Sequence, residues 1–250
     1  MSVRPFLRPL LAWVIGGLGL MLSVTICFLL APFLGGPRAF WIMAPRYIRF
    51  TARVFGIRRE LQGWDQLPAG LRNGTQPAVF IGNHSSLFDP PLIISILPCH
   101  PVFVAKRELA RVPFLGWVIW LADFIFINRD NRQAALRSLG NAADRIQAGQ
   151  SVVAFPEGTR SGDGHLLSFK KGAFSLAFEA GVPVVPFAIH GGHAILPKGT
   201  WRVQGGLYRI TVGAPLASSA FPDGEALRKA AEAAVRGLLA TAVVPTAFVP

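Results

Sequence analysis

An uncharged apolar stretch near the start of the chain is the strongest hydrophobic pattern in the sequence, and it lies between Arg8 and Arg38. Residues 10–31 within it span 22 positions, and a helix needs about 20 apolar residues to cross a bilayer core. Pro32 and Gly35 predict where this helix ends. A secretory signal is the competing interpretation, but its apolar region covers roughly 7–15 residues before a small-residue cleavage site. The pattern therefore predicts a membrane anchor, as a full span or as a hairpin in one leaflet.

A second helical pattern follows in residues 38–57. Arg46, Arg49 and Arg53 recur at the spacing of one helix face, and apolar and aromatic residues fill much of the remainder. A basic amphipathic helix of this kind can lie in the headgroup layer of a membrane. The alternative is a helix that packs on the protein and keeps its arginines in water.

Beyond this segment, short apolar runs alternate with helical patterns. The strand candidates, which are rich in Val, Ile and Phe, are residues 78–81, 102–105, 124–127, 152–155, 184–189 and 207–212. Helical spacing of apolar residues predicts helices over residues 130–148, 171–180 and 226–239. The alternation predicts an α/β fold with a mixed, mostly parallel sheet covered by helices. We expect the chain to divide into a membrane-anchoring helical segment, 1–58, and a second domain, 59–250.

The composition indicates a membrane partner. Of the 250 residues, 52% are hydrophobic and 15% are charged, which excludes a disordered polyelectrolyte. The formal net charge is +12, and +8 of it comes from eight arginines that precede Glu60, the first acidic residue. An apolar and basic segment suits an anionic membrane surface, and the excess of arginines after the apolar run predicts a cytoplasmic location for the rest of the chain. Two cysteines are too few for a disulfide framework.

The loop after the strand candidate 78–81 holds a candidate catalytic pair, His84 and Asp89. In α/β folds, sites lie in loops that leave the carboxyl ends of strands. An imidazole can take a proton from a reacting hydroxyl, while a carboxylate fixes its tautomer and stabilises the imidazolium. Asp89 also precedes Pro90, so its side chain has an alternative role as a helix N-cap. A continuous helix would turn the pair about 140° apart, but a loop can bring them together.

Two further polar clusters end predicted strands. Residues 156–161 place glycine, threonine and arginine after a strand, which suits an anion site built from backbone N–H groups, a hydroxyl and a guanidinium. Residues 126–129 end in an Asn-Arg pair. The first cluster lacks the ending of a Walker loop, and the sequence contains no G-x-S-x-G motif of a serine hydrolase.

Together these clusters resemble the glycerolipid acyltransferase family, specifically its bacterial 1-acyl-glycerol-3-phosphate (lysophosphatidate) acyltransferases. Four family motifs occur in order between residues 83 and 186: Asn83-His84 with Asp89, then 126–129, 155–161 and the Val-Pro-rich 182–186. The resemblance implies transfer of a fatty acyl group from acyl-CoA or acyl carrier protein to the free 2-hydroxyl of lysophosphatidate. It makes 59–250 the acyltransferase catalytic domain and implies no metal and no bound cofactor.

The resemblance also implies roles for the candidate residues. His84 is expected to act as general base on the acceptor hydroxyl, oriented by Asp89. The expected substrate-binding residues, all in or near the family motifs, are Lys106, Arg129, Glu157, Gly158, Thr159 and Arg160. The cations among them are expected to hold the acceptor phosphate, and Glu157 to orient an arginine or a glycerol hydroxyl.

Other interpretations remain open at this point. Related enzymes acylate glycerol-3-phosphate or lyso-ornithine lipid, and a non-catalytic membrane lipid-binding protein is the alternative from another class. A basic nucleic-acid binder is disfavoured because the expected DNA- or RNA-binding motifs are missing from the sequence. The expected partners are therefore lysophosphatidate, an acyl thioester and an anionic phospholipid membrane, with no nucleic acid. The expected location is the inner (cytoplasmic) membrane, with the catalytic domain on its cytoplasmic face.

Overall fold

The computed structural model describes the backbone of residues 4–127 and 132–241, with the side chains of residues 10–127 and 140–241. Within these ranges the chain forms two long N-terminal helices, followed by a sheet that carries helices on both faces. Arg129, which the sequence predicts to bind phosphate, lies outside the described residues.

The two N-terminal helices are α1 (Arg4–Leu34) and α2 (Gly36–Val54). Gly35 joins them with φ of 80°, a left-handed conformation that a right-handed helix cannot continue. The helix α1 therefore continues through Pro32 and ends directly before Gly35, the second of the two predicted stop positions. The two helices pack side by side, and the hydroxyl of Tyr47 donates to the carbonyl of Gly16 at 2.8 Å.

The amphipathic helix α2 packs its apolar face on the protein. Ile48 and Ala52 are buried in one apolar cluster with Phe80 of the sheet. The side chains of Arg46, Arg49 and Arg53 are exposed on the opposite face. The packing agrees with the second alternative, a helix that packs on the protein, and the exposed arginines remain available to water or to lipid headgroups.

The sheet has the mixed, mostly parallel architecture that the sequence predicts. Its strands are β1 (Ile57–Gln62), β2 (Val79–Gly82), β3 (Val102–Lys106), β4 (Ile125–Ile127), β5 (Val152–Ala154), β6 (Val184–His190) and β7 (Gly206–Val212). Their order is β1-β7-β6-β2-β5-β3-β4. The β6–β7 pair is antiparallel and the other pairs are parallel.

Two apolar layers enclose the sheet, because successive strand residues point to opposite faces. The remaining helices are α3 (Ala69–Arg72), α4 (Asp89–Ile96), α5 (Leu115–Leu121), α6 (Arg132–Gln147), α7 (Gly172–Glu179), α8 (Gly192–Ile195) and α9 (Gly224–Thr241). On one face, Phe80 and Val185 pack with residues of α2, α4 and α5. On the other, Val79 and Val184 pack with residues of α6, α7 and α9.

The sequence pattern does not predict the edge strand β1. This strand is mostly polar, and only its first residue, Ile57, is buried. Backbone pairing with β7 holds it in place, and Glu60 forms an ion pair with the opposite residue Arg209 at 2.9 Å. An edge strand buries little apolar surface, so hydrophobic periodicity gives no signal for it. The predicted boundary between residues 58 and 59 falls inside β1, and the division into two units stays a prediction.

Candidate active site

The candidate site lies where the parallel strands β2 and β5 end side by side. Because the two strands pair in parallel, the loops that follow them begin at the same edge of the sheet. The β2 loop carries His84 and the β5 loop carries Glu157. At the start of the β2 loop, the buried amide of Asn83 donates to the carbonyl of Ile189 at 3.0 Å and accepts its N–H at 2.7 Å. These two bonds tie the loop to β6.

The structure brings the predicted catalytic pair into contact. Nδ1 of His84 lies 2.8 Å from Oδ2 of Asp89, whose side chain is 0% exposed. A carboxylate accepts hydrogen bonds, so Nδ1 carries the proton and Nε2 keeps the lone pair that a general base needs. The imidazole stacks on the ring of Phe155 with centroids 4.2 Å apart. The His84 side chain is 16% exposed, so it borders on solvent from a fixed orientation.

Four donors converge on the Asp89 carboxylate. Besides Nδ1 of His84, Oδ2 accepts the backbone N–H groups of Ser85 and Ser86, both at 2.8 Å. Oδ1 accepts the hydroxyl of Tyr208 at 3.1 Å. Burial raises the pKa of Tyr208 well above its usual range, and the adjacent carboxylate adds to the effect, so this hydroxyl stays a donor. The bonds hold the carboxylate in the position that orients His84.

The N-cap role for Asp89 is not the one that the structure shows. Asp89 is the first residue of α4, and Phe88 occupies the N-cap position. The next two residues are prolines without an N–H, and the N–H of Leu92 donates to the carbonyl of Phe88 at 2.9 Å. The first turn of α4 therefore has little need of a capping side chain, and the carboxylate turns back to the loop.

Glu157 is bound to backbone groups on both sides. Its side chain is buried, with 3% of the residue exposed. Oε1 accepts the N–H of His84 at 2.6 Å, and Oε2 accepts the N–H of Leu167 at 3.2 Å. Burial raises its pKa to about 7, against the opposing effect of these two bonds. The described contacts of Glu157 thus hold the backbone of His84. Its expected role of orienting an arginine or a glycerol hydroxyl stays a prediction.

The rest of the β5 loop lies against the same histidine. The N–H of Ser161 donates to the carbonyl of His84 at 2.9 Å. Gly158 has φ of 73°, and Thr159 and Arg160 follow it toward the surface. The loop that the sequence predicts to bind an anion is therefore joined to the His84 loop by direct hydrogen bonds.

Lys106 lies farther along the same edge. It ends β3, the strand beyond β5, and its side chain is half-exposed and pairs with Glu108 at 3.6 Å. Within the described part of the chain, Lys106 forms no hydrogen bond or ion pair with the His84 loop. The residues that the structure joins directly are His84, Asp89 and Glu157, together with the 158–161 turn.

Sequence reasoning misses two side chains that reach this site, Tyr208 and Lys198. Tyr208 is a buried position of β7, a strand that starts at the edge where the parallel strands end. Lys198 lies in the connection between α8 and β7, and its ammonium contacts the β5 loop. Neither belongs to a local motif, so no spacing in the sequence could have found them. In the described ranges, no three His, Cys, Asp or Glu side chains are grouped so as to hold a metal.

An α/β fold with a His–Asp pair at the carboxyl ends of its strands is typical of an enzyme that uses a general base. Sequence comparison gives the family. A model of the acyltransferase family matches residues 58–190. The 1-acyl-sn-glycerol-3-phosphate acyltransferase of Pseudomonas aeruginosa is 30% identical over 93% of this chain and 88% of its own. The chain belongs to the acyltransferase family, which confirms the resemblance drawn from the motifs.

Other relatives agree with this assignment. The 1-acyl-sn-glycerol-3-phosphate acyltransferase of Limnanthes alba is 40% identical over 60% of this chain. The chain spans about half the length of such plant relatives, 52% in that case. The crystal structure of PlsC, the 1-acyl-sn-glycerophosphate (LPA) acyltransferase of Thermotoga maritima, superimposes with a TM-score of 0.80 at 27% identity. That match covers 97% of this chain and 98% of the other.

Proposed function

We propose that this protein transfers a fatty acyl group from an acyl thioester to the free 2-hydroxyl of lysophosphatidate, giving phosphatidate for phospholipid biosynthesis. The observation that carries the proposal is the 2.8 Å contact between His84 and Asp89, which leaves Nε2 of the histidine as a base at the site. The names of the relatives from Pseudomonas aeruginosa and Thermotoga maritima support lysophosphatidate as the acceptor.

The geometry supports a direct transfer. Nε2 of His84 takes the proton of the 2-hydroxyl as its oxygen attacks the thioester carbonyl, and Asp89 stabilises the imidazolium that forms. The tetrahedral intermediate then collapses with cleavage of the C–S bond, and the thiolate leaves as a thiol with the proton from His84. An acyl-enzyme is not required, because a thiolate is a good leaving group. For the same reason we propose that the reaction uses no metal and no bound cofactor.

We further propose how substrate and membrane are held. Arg160, Lys106 and Arg129 hold the acceptor phosphate, which positions the 2-hydroxyl near His84. The donor is a thioester of coenzyme A or of acyl carrier protein. The stretch Leu10–Leu34 is long and apolar enough to cross a membrane, and 22% of its most apolar window is buried inside the protein. It anchors the protein in the inner (cytoplasmic) membrane, with the catalytic domain on the cytoplasmic face.

A purified-enzyme acceptor panel tests the proposal. Thiol release and ester formation are measured with an acyl-CoA and with acyl carrier protein thioester, and the acceptors are lysophosphatidate, glycerol-3-phosphate and lyso-ornithine lipid. We expect turnover with lysophosphatidate and loss of about 10²- to 10⁴-fold in His84→Ala. His165→Ala, at an exposed histidine, is the matched control. Turnover with another acceptor alone would replace the proposed substrate, and no thiol release with any acceptor would favour a lipid-binding protein.

A further inference from the structure

Two lysines lie against the β5 loop, Lys198 and Lys170. The ammonium of Lys198 donates to Oγ1 of Thr159 at 3.4 Å and to the carbonyl of Arg160 at 3.2 Å. Lys170 lies over Gly158, since a Cβ placed on that glycine would be 2.7 Å from its Nζ. Glycine at this position thus permits both the positive φ of 73° and the close approach of the lysine.

The positive charges around this loop have no carboxylate to balance them. Among the described side chains, Arg160, Lys170 and Lys198 form no ion pair. The next lysine in the chain, Lys171, does pair with a carboxylate at 3.8 Å. The acidic residue of the loop, Glu157, has turned its carboxylate inward to two backbone N–H groups. Three cations therefore border solvent around residues 158–160 of the β5 loop.

This cluster of cations adjoins the catalytic base. Arg160 immediately precedes Ser161, whose N–H donates to the carbonyl of His84 at 2.9 Å. The ammonium of Lys198 uses two of its three donors on neutral oxygens of the loop, which leaves one donor for a ligand. A phosphate held there by charge-assisted hydrogen bonds would contact residues that directly precede Ser161, the residue whose N–H binds the backbone of His84.

We propose that Lys198 and Lys170 act with Arg160 as a binding site for a terminal phosphate monoester, and that Lys198 selects this group over a phosphodiester headgroup. The inference rests on the proposed function, because it names how that site recognises its acceptor. A monoester carries close to two negative charges near neutral pH, whereas a phosphodiester carries one. Three cations without a carboxylate partner bind the doubly charged monoester more strongly than the singly charged phosphodiester.

Steady-state kinetics in mixed micelles test this assignment with Lys198→Met, Lys170→Met and their conservative Arg variants. We expect each Met variant to raise KM for lysophosphatidate about 5- to 20-fold with little change in kcat, and each Arg variant to recover most of the loss. Lys229→Met, at an exposed lysine of α9, is the matched control and should leave both constants unchanged. An unchanged KM in Lys198→Met and Lys170→Met would overturn the proposal.

Binding of 2-deoxy-lysophosphatidate, which lacks the reacting hydroxyl, separates this inference from the proposed function. Calorimetry should show weaker binding to Lys198→Met, and a smaller loss for an analogue whose phosphate is esterified to glycerol. Weakened binding in a protein that transfers no acyl group would overturn the function and leave the phosphate site standing. Equal losses for the two analogues would overturn the selectivity assigned to Lys198.

Discussion

The hydroxyl of Tyr208 lies 119 residues along the chain from the carboxylate that it contacts. It is the only side chain apart from His84 that donates to Asp89 within the described residues. We expect Tyr208→Phe to lower kcat about 3- to 30-fold with KM unchanged, because the carboxylate loses one of the bonds that hold it toward His84. Acyl-transfer kinetics measure the split between the two constants.

Tyr47→Phe is the matched control for Tyr208→Phe, since the Tyr47 hydroxyl binds a carbonyl of α1 and has no bond to the site. Thermal unfolding of both variants shows how much of each effect is stability. A KM that rises in Tyr208→Phe while kcat stays constant would contradict a positioning role for this hydroxyl.

Glu157 makes the stability of the fold depend on pH. Burial raises its pKa to about 7, from a value of 4.5 for an unperturbed glutamate. Between these pH values the folded protein keeps a proton that the unfolded chain releases, so the free energy of unfolding falls as pH rises through this window. Over the whole window, the shifted pKa of Glu157 lowers the free energy of unfolding by about 3 kcal/mol. Glu157→Gln cannot ionise, so we expect it to lack this decline in denaturant unfolding measured in detergent from pH 4.5 to 7.5.

The comparison isolates Glu157 from other titrating groups. Glu179→Gln, at an exposed glutamate of α7, should follow the wild-type curve. The Gln variant starts from a lower stability, because its amide N–H₂ faces a backbone N–H that needs an acceptor. What counts is the slope: parallel curves for Glu157→Gln and wild type would show that the Glu157 carboxyl does not titrate in this range.

At the residue level, the sequence predicts the groups that follow strands and misses those that reach the site from elsewhere. His84 and Asp89 are five positions apart in one loop, so spacing and strand ends make their pairing a hypothesis, and the 2.8 Å contact confirms that they meet. Tyr208 and Lys198 are brought to the site by β7 and the connection before it. Their contacts depend on how β6 and β7 pair, which apolar periodicity does not specify.

At the level of elements, apolar runs predict β2 to β7, because each of these strands buries Val, Ile or Phe in the layers of the sheet. The edge strand β1 escapes prediction because backbone pairing, and not burial, holds it. The sequence also does not show whether an amphipathic helix packs on lipid or on protein. The arginine stripe of α2 has the same spacing on a membrane-bound helix and on one whose other face packs against a sheet.

The helix α9 shows how an element far from the motifs supports the site. Glu232 accepts the N–H of Phe169 at 3.1 Å, and Arg228 donates to the carbonyl of the same residue at 3.3 Å. Two residues earlier, the N–H of Leu167 holds Glu157, which in turn holds the backbone of His84. The charged face of α9 thus fixes one end of a chain of hydrogen bonds that ends at His84.

For the molecule as a whole, the described charged side chains of the two N-terminal helices belong to α2, whereas α1 exposes large apolar side chains. Leu18 and Leu22 of α1 are 58% and 63% exposed, although both are large apolar side chains. The exposed arginines belong to α2, which is packed on the sheet. The proposed anchor therefore depends on burial of α1 in lipid, and the arginines add attraction to anionic headgroups, which salt screens.

If α1 anchors the protein and the arginines of α2 only add attraction, a salt wash should not release the protein from the membrane. In about 1 M NaCl the Debye length is about 3 Å, so a protein held by its arginines alone would leave the membrane. We expect the wild type to stay in the membrane fraction, and Leu18→Arg/Leu22→Arg to move to the soluble fraction, because each charge costs roughly 2.5–3.5 kcal/mol in a bilayer core. Ala233→Arg/Ala240→Arg adds two charges at exposed positions of α9 and should be retained like the wild type. Release of the wild type by salt, or retention of the α1 variant, would show that α1 is not the anchor.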